Sequence, residues 1–312
     1  VTEIELNIEV DAGKTLSYTY LATGRPIVRS IKITNLGPDS TAGVQVRPRV
    51  RIDAPFGDPV VGEWTGEPRD LPRPRTKDHE TLGWSSIRLQ ANPAVLGRLP
   101  EVVSAMIVVE VLAGDGETVV AEQREPLDLL AAKDWVMDFT YSDSLAAFVL
   151  PHSSAIKPIL KDARERLGDM TGDPSTSGYQ TVPEDQDDPK TWMGRSKDPE
   201  GWRRVDQVAE AIYEAIRARN IAYTDPGSST WDSVQRIRSP REILVDGAAG
   251  TCLDTSVLYA ACLAEAGLDP VLYLVEGHAF CGYAVDFKLC KTPRYRPPSV
   301  LEPTQILQAR DL

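Results

Sequence analysis

Cys252 and His278 are the residues of this sequence whose types and spacing could supply a nucleophile and its base. Cys252 stands in Gly250-Thr251-Cys252-Leu253-Asp254 and is followed by a mostly apolar run to Ala266, stopped by Gly267. The run predicts a helix whose only charged residues, Asp254 and Glu265, sit at its ends, so the helix should be buried. A thiol in the first turn of such a helix meets unpaired backbone N–H groups and a dipole that favour negative charge. The thiolate is the nucleophilic form. Gly250 permits tight chain entry and close approach of a substrate backbone. After Gly267, Val271-Leu272-Tyr273-Leu274-Val275 reads as a β-run leading into Gly277-His278-Ala279-Phe280, which puts His278 at or near a strand edge. A helix followed by a returning strand can bring the two side chains together, as Cys–His catalysis requires. The imidazole then needs an orienting acceptor, as in the serine triad. Glu302 is the first choice for it and Asp286 the fallback.

The bland reading is a small core thiol and a structural histidine, both common fates of these residues. Cys262, Cys281 and Cys290 read as structural thiols, and His79 and His152 as surface or packing residues.

The elements that must position this pair follow from hydrophobic periodicity. Ile156, Ile159, Leu160, Ala163 and Leu167 fall at helical spacing, with Pro158 tolerable only in the first turn. Val205, Val208, Ala209, Ile212 and Ile216 mark one face of a second helix. Between them, residues 171–200 are rich in Pro, Gly, Ser and acid and predict a solvated loop. Residues 1–133 are different in kind. Ile4, Leu6, Ile8 and Val10 alternate with polar residues, and β-rich runs follow at Ile27–Ile33, Val44–Ile52 and Ala105–Val111, separated by turn signals. The expected fold is therefore two-domain: an all-β immunoglobulin-like sandwich over 1–133, then an α+β domain over 134–312. The proline-rich stretch 53–80 reads as a long surface insertion. The β half offers no catalytic constellation and serves as a recognition module or a scaffold.

A chain of 312 residues suits about two domains. Its net charge of -12 argues against broad phosphate-backbone binding, so nucleic acid is not expected as a partner of this chain alone, despite arginines in 47–52 and 69–75. No apolar stretch is long enough for a membrane span. The chain opens on Val1 and an alternating pattern, with no secretory signal to read. Four cysteines without a CxxC pair, and three histidines, predict neither a metal site nor a disulfide scaffold. No cofactor is expected, and the sparse cysteine usage points to the cytoplasm.

Gly250-Thr251-Cys252, Gly277-His278-Ala279 and Glu302-Pro303-Thr304 resemble the three elements of the transglutaminase-like, papain-type superfamily of cysteine peptidases and acyltransferases. The stretch from Val208 to Tyr223 is similar to the helix and I-x-Y segment that precede the cysteine there. Glutamate replaces the usual aspartate at 302. Leu145-Ala146-Ala147-Phe148, Gln235 to Pro240, Gly250 to Leu253 and Gly277 to Phe280 look like one bacterial family. In it, a β-rich domain and a cysteine domain often precede a superfamily-one-like helicase. This chain has no Walker A sequence, so the resemblance implies a helicase region beyond Leu312 or in a separate chain. It further implies Cys252, His278 and Glu302 as a triad acting on a protein or peptide. Gln235 is the candidate oxyanion donor, and Trp231 the candidate wall of the substrate pocket. The expected chemistry is acyl transfer through a Cys252 thioester, with water hydrolysing a peptide, side-chain amide or isopeptide bond. The alternatives are a non-catalytic interaction module with a vestigial site, and an amine-crosslinking transglutaminase.

Overall fold

The computed structural model describes residues 4–22, 24–73, 81–137, 139–176, 199–225, 234–275 and 277–284. The fold is mixed α+β, with β-rich sheets first and helices with small sheets after them. The chain divides into two compact units, Val1–Leu145 with Trp231–Gln235, and Ala146–Thr230 with Arg236–Leu312.

In the first unit the strands are β1 (Leu6–Ala12), β2 (Thr15–Leu16), β3 (Val28–Asn35), β4 (Gln45–Asp53), β5 (Trp64–Thr65), β6 (Arg69–Asp70), β7 (Thr81–Ser85), β8 (Val103–Ala113), β9 (Val119–Leu129) and β10 (Asp134–Val136). Two short helices, α1 (Tyr18–Ala22) and α2 (Pro93–Leu96), interrupt them. One sheet runs β1-β3-β7; the other runs β2-β9-β8-β4-β5, with β6 also on β4. Alternation decides which faces meet. Ile31 and Ile33 from the first sheet share a core with Val46, Val50, Ile107, Val109 and Leu127 from the second. The outer face of β4 carries Arg49 and Arg51, which are not free for phosphate: both approach Glu110, at 2.6 and 3.7 Å.

The stretch read as a surface insertion is partly core. Val60, Val61 and Leu71 are almost fully buried, and Leu71 exchanges backbone bonds with Gly43 and Val44 at 2.9 Å. Apolar side chains spaced among prolines escape a periodicity test yet still fill space. Residues 74–80, with His79, lie outside the described set.

The second unit is built on three helices, α3 (Lys157–Thr171), α4 (Pro199–Arg217) and α5 (Cys252–Glu265), with the hairpin β14 (Pro270–Val275) and β15 (His278–Tyr283). Between α4 and α5 lie β11 (Ala222–Tyr223), β12 (Val234–Arg236) and β13 (Ala249–Gly250). The periodic residues of α3 and α4 are all buried, as their spacing predicts. Pro158 sits in the first turn of α3, where its missing N–H costs no bond. Helix α5 is buried on every side from Leu253 to Leu263. Small residues at Ala260 and Ala261 help fit it into a closed core, and Tyr259 donates to the Ala209 carbonyl of α4 at 3.0 Å. Among the described residues, no helix is long and apolar enough to cross a membrane.

Burial pushes the Cys262 and Cys281 thiols well above the ordinary range. The unfolded chain releases those protons near pH 8.5, whereas the folded chain holds them, so the native state binds more protons above that pH. Stability is therefore full below about pH 8 and declines as pH rises, by up to about 4 kcal/mol by pH 10 for two such groups. Urea unfolding followed by circular dichroism at pH 7.5, 9 and 10 should show this decline. It should be smaller in a Cys262→Ala, Cys281→Ala double variant.

Candidate functional site

Thr251 and Asp254 make the tip of α5. Thr251 is the N-cap: its side chain accepts the Asp254 N–H at 3.1 Å, and Asp254 accepts the Thr251 N–H at 2.9 Å, a reciprocal capping box. Asp254 is fully buried. Its remaining oxygen capacity is met by Arg238, whose backbone N–H and guanidinium each donate at 2.7 Å. One carboxylate thus ties the helix start to the loop that precedes it. That loop is itself stapled where the Ser239 N–H and hydroxyl both donate to Glu242 at 2.8 Å.

Gly250 is needed here for a reason the sequence did not show. A Cβ at this position would stand 3.3 Å from the Asp254 Cβ, so the close approach it permits is that of β13 to the first turn of α5. Upstream, Ala248 holds a left-handed φ of 46, an unusual conformation for a residue with a Cβ. It lies where the chain leaves a wide helical turn, Glu242–Asp246, and enters β13.

Cys252 is the first residue of α5 and is partly exposed, whereas Cys262 and Cys281 are buried. Among the described residues, the N–H groups of Cys252 and Leu253 donate to no partner, because the cap satisfies only the later ones. The hydroxyls of Thr255 and Ser256 return to carbonyls of the same turn, at 2.7–3.1 Å. The Ser256 hydroxyl lies 2.7 Å from the Cys252 carbonyl and 3.1 Å from the Ala279 carbonyl, so a single group links the cysteine's turn to the residue after His278.

His278 opens β15, directly opposite Val275, after a turn in which Gly277 takes φ 72. The strand's alternation separates two faces. Cys281 and Tyr283 join the core with α5, and Ala279 is buried on the same face. His278 and Phe280 lie on the other, where Phe280 stacks on Tyr273 at 4.9 Å and the His278 ring lies 6.3 Å from Phe280. Among the described residues, no hydrogen bond joins Cys252 to His278. The fold brings their elements together through Ser256.

The other expected members are scattered. Gln235 lies half-buried on β12, which pairs with β10, and belongs to the first unit. Trp231, Asp286, Glu302 and Cys290 lie outside the described residues. Among the described residues, no group of His, Cys, Asp and Glu is arranged to hold a metal ion. His152, read as a surface or packing residue, is exposed and paired with Glu265 at 3.0 Å. Arg238, Ser256 and Tyr223 were assigned no role from sequence. The Thr251-x-x-Asp254 spacing was the one local signal that could have revealed the capped tip.

Arg238→Ala leaves the Asp254 carboxylate buried with its cation gone, at a cost on the order of 3 kcal/mol. The measurement is the urea concentration at which Cys262 and Cys281 become reactive to a disulfide reagent, which should drop in the variant. Scanned against known protein families and against curated proteins, the sequence matches none.

Proposed function

We propose that the second unit is a transglutaminase-like, papain-type acyl-transfer domain with Cys252 as its nucleophile. The observation that carries the reading is the Ser256 link, which sets the strand bearing His278 beside the capped helix turn bearing the accessible thiol. The resemblance of the Gly-Thr-Cys, Gly-His-Ala and Glu-Pro-Thr segments supports it. So does an immunoglobulin-like reading of the two sheets that share the first unit's core.

In this reading His278 takes the Cys252 proton and the sulfur attacks an amide carbonyl, forming a C–S bond and an oxyanion. The N–H groups of Cys252 and Leu253 at the α5 tip, without partners among the described residues, are donors suited to that oxygen. The C–N bond then breaks as His278 returns the proton to the leaving amine, and a thioester remains. Water, activated by His278 oriented through Glu302, attacks it; the C–S bond breaks, releasing a carboxylate and restoring the thiol. Hydrolysis is preferred to amine transfer because it needs no second binding site. The reaction requires the His278 ring to turn from its place near Phe280 toward the sulfur, a closure that substrate complexes of such enzymes often complete. A helicase region beyond Leu312 or in another chain is the proposed partner.

A second reading is favoured by one observation. His278, Phe280, Tyr273 and the half-exposed Val275 form an aromatic and apolar face on the hairpin, which suits an interaction module with a dormant site. Iodoacetamide separates the two. The enzyme reading expects Cys252 to be alkylated selectively over the buried Cys262 and Cys281, with His278→Ala slowing that reaction at least tenfold. It also expects a one-to-one burst of nitrophenol from p-nitrophenyl acetate, with the acetyl group on Cys252. Alkylation indifferent to His278 and no burst would establish the module instead.

A further inference from the structure

Tyr223 ends the helix and I-x-Y segment that precedes the cysteine, and the mechanism above does not use it. The fold gives it a defined place. β11 and β13 pair in parallel, with Ala222 opposite Ala249 and Tyr223 opposite Gly250, two residues before the nucleophile. Backbone bonds fix this register on both sides: Ala222 N–H donates to the Ala248 carbonyl at 2.7 Å, and Thr224 N–H to the Gly250 carbonyl at 3.1 Å. Paired residues on neighbouring strands project to the same face of a sheet. The direction a Gly250 side chain would take is known, because a Cβ there would meet Asp254 and Thr255 at 3.3 and 3.6 Å. Tyr223 therefore projects toward the first turn of α5, the turn that carries Cys252. Glycine at 250 leaves no side chain between them. The tyrosine remains 48% exposed, so its phenol borders solvent at the mouth of the site and is not locked in a core.

Burial, then the Cys252 thiol, then the Asp225 carboxylate and the hydrogen bond the hydroxyl donates to it raise the phenol above its ordinary value, so it is a protonated donor at neutral pH, and an oxyanion competes with Asp225 for that proton. That the Cys252 thiol acts on the hydroxyl agrees with the direction given by the strand register.

We infer that Tyr223 is a further catalytic residue of this site, its hydroxyl donating a hydrogen bond to the oxyanion that forms when the Cys252 sulfur adds to a carbonyl. The inference rests on the acyl-transfer reading. In that reading the α5 tip supplies two backbone donors, and Tyr223 approaches from the neighbouring strand. Its phenol approaches from the exposed side, whereas the backbone donors lie at the helix end. A phenol donates without carrying charge, so it strengthens as charge develops on the oxygen and leaves the ground-state carbonyl little affected.

Two reagents separate this role from a structural one. Acylation by p-nitrophenyl acetate passes through an oxyanion, whereas alkylation by iodoacetamide displaces iodide at a saturated carbon and forms none. For Tyr223→Phe the expected result is a burst rate constant at saturating ester lowered roughly a hundredfold, with the ester's half-saturation concentration and the alkylation rate unchanged within about twofold. Continued protection of Cys262 and Cys281 from iodoacetamide verifies that the variant is folded. An unchanged burst overturns the inference. So does a parallel fall in burst and alkylation, which would make Tyr223 a structural wall. If the wild-type protein gives no burst at all while Cys252 alkylates readily, the acyl-transfer reading fails first, and the role of Tyr223 falls with it.

Discussion

The second unit depends on one buried charge. Asp254 is wholly out of solvent, and an ion in that position is tolerated only when donors and a countercharge replace water. Here the Thr251 N–H, the Arg238 N–H and the Arg238 guanidinium do so. Because Asp254 is also the third residue of α5, its charge lies where the helix dipole favours it. A single carboxylate thereby fixes the helix start, orients the cap and closes the preceding loop. Asparagine would keep some of these bonds but would leave Arg238 without its countercharge. Glutamate can close the same reciprocal cap, but its extra methylene has to be packed into a fully buried position.

From that anchor the different fates of three cysteines follow. Cys252 is held at the end of the anchored turn, where the core stops. Cys262 lies ten residues deeper in the same helix, against α4 and the hairpin, and Cys281 is on the hairpin face that α5 covers. The same apolar environment that suppresses ionisation of the inner two is what makes the outer one distinctive. One helix, buried from Leu253 to Leu263, leaves Cys252 partly exposed at its start and seals Cys262 in the core.

Much of this was legible in the residues. The 3.6-residue spacing of α3 and α4 and the alternation of the first unit's strands are strong local signals, and each was followed by the structure. The all-apolar α5 was legible too, since its charges stand only at its ends. Long-range pairings were not legible. Nothing near Asp254 marks Arg238 as its partner, and the two-residue pairing of Tyr223 with Gly250 is too short for any periodicity to announce. The prolines of 53–80 masked three core side chains. Trp231 and Glu302 lie outside the described residues, so their parts stay as the sequence assigned them.

The direction of His278 was illegible for a subtler reason. A strand with one apolar and one polar face declares which way each side chain points, but Val271 to Val275 and Ala279 to Tyr283 are apolar or aromatic on both faces. Phase could be set only by packing, and packing gave α5 the face of Ala279, Cys281 and Tyr283. His278 is nevertheless the residue of that strand whose side chain is least constrained. It is in the terminal pair of the ladder, it follows a glycine with a left-handed φ, and its ring lies tilted 6.3 Å from Phe280. Turning its ring toward the helix tip breaks no described hydrogen bond and leaves the Tyr273–Phe280 stack in place. Because the opposite face of β15 is the one α5 covers, pairing His278 with Cys252 calls for a shift of the hairpin's end and not for a change of rotamer alone.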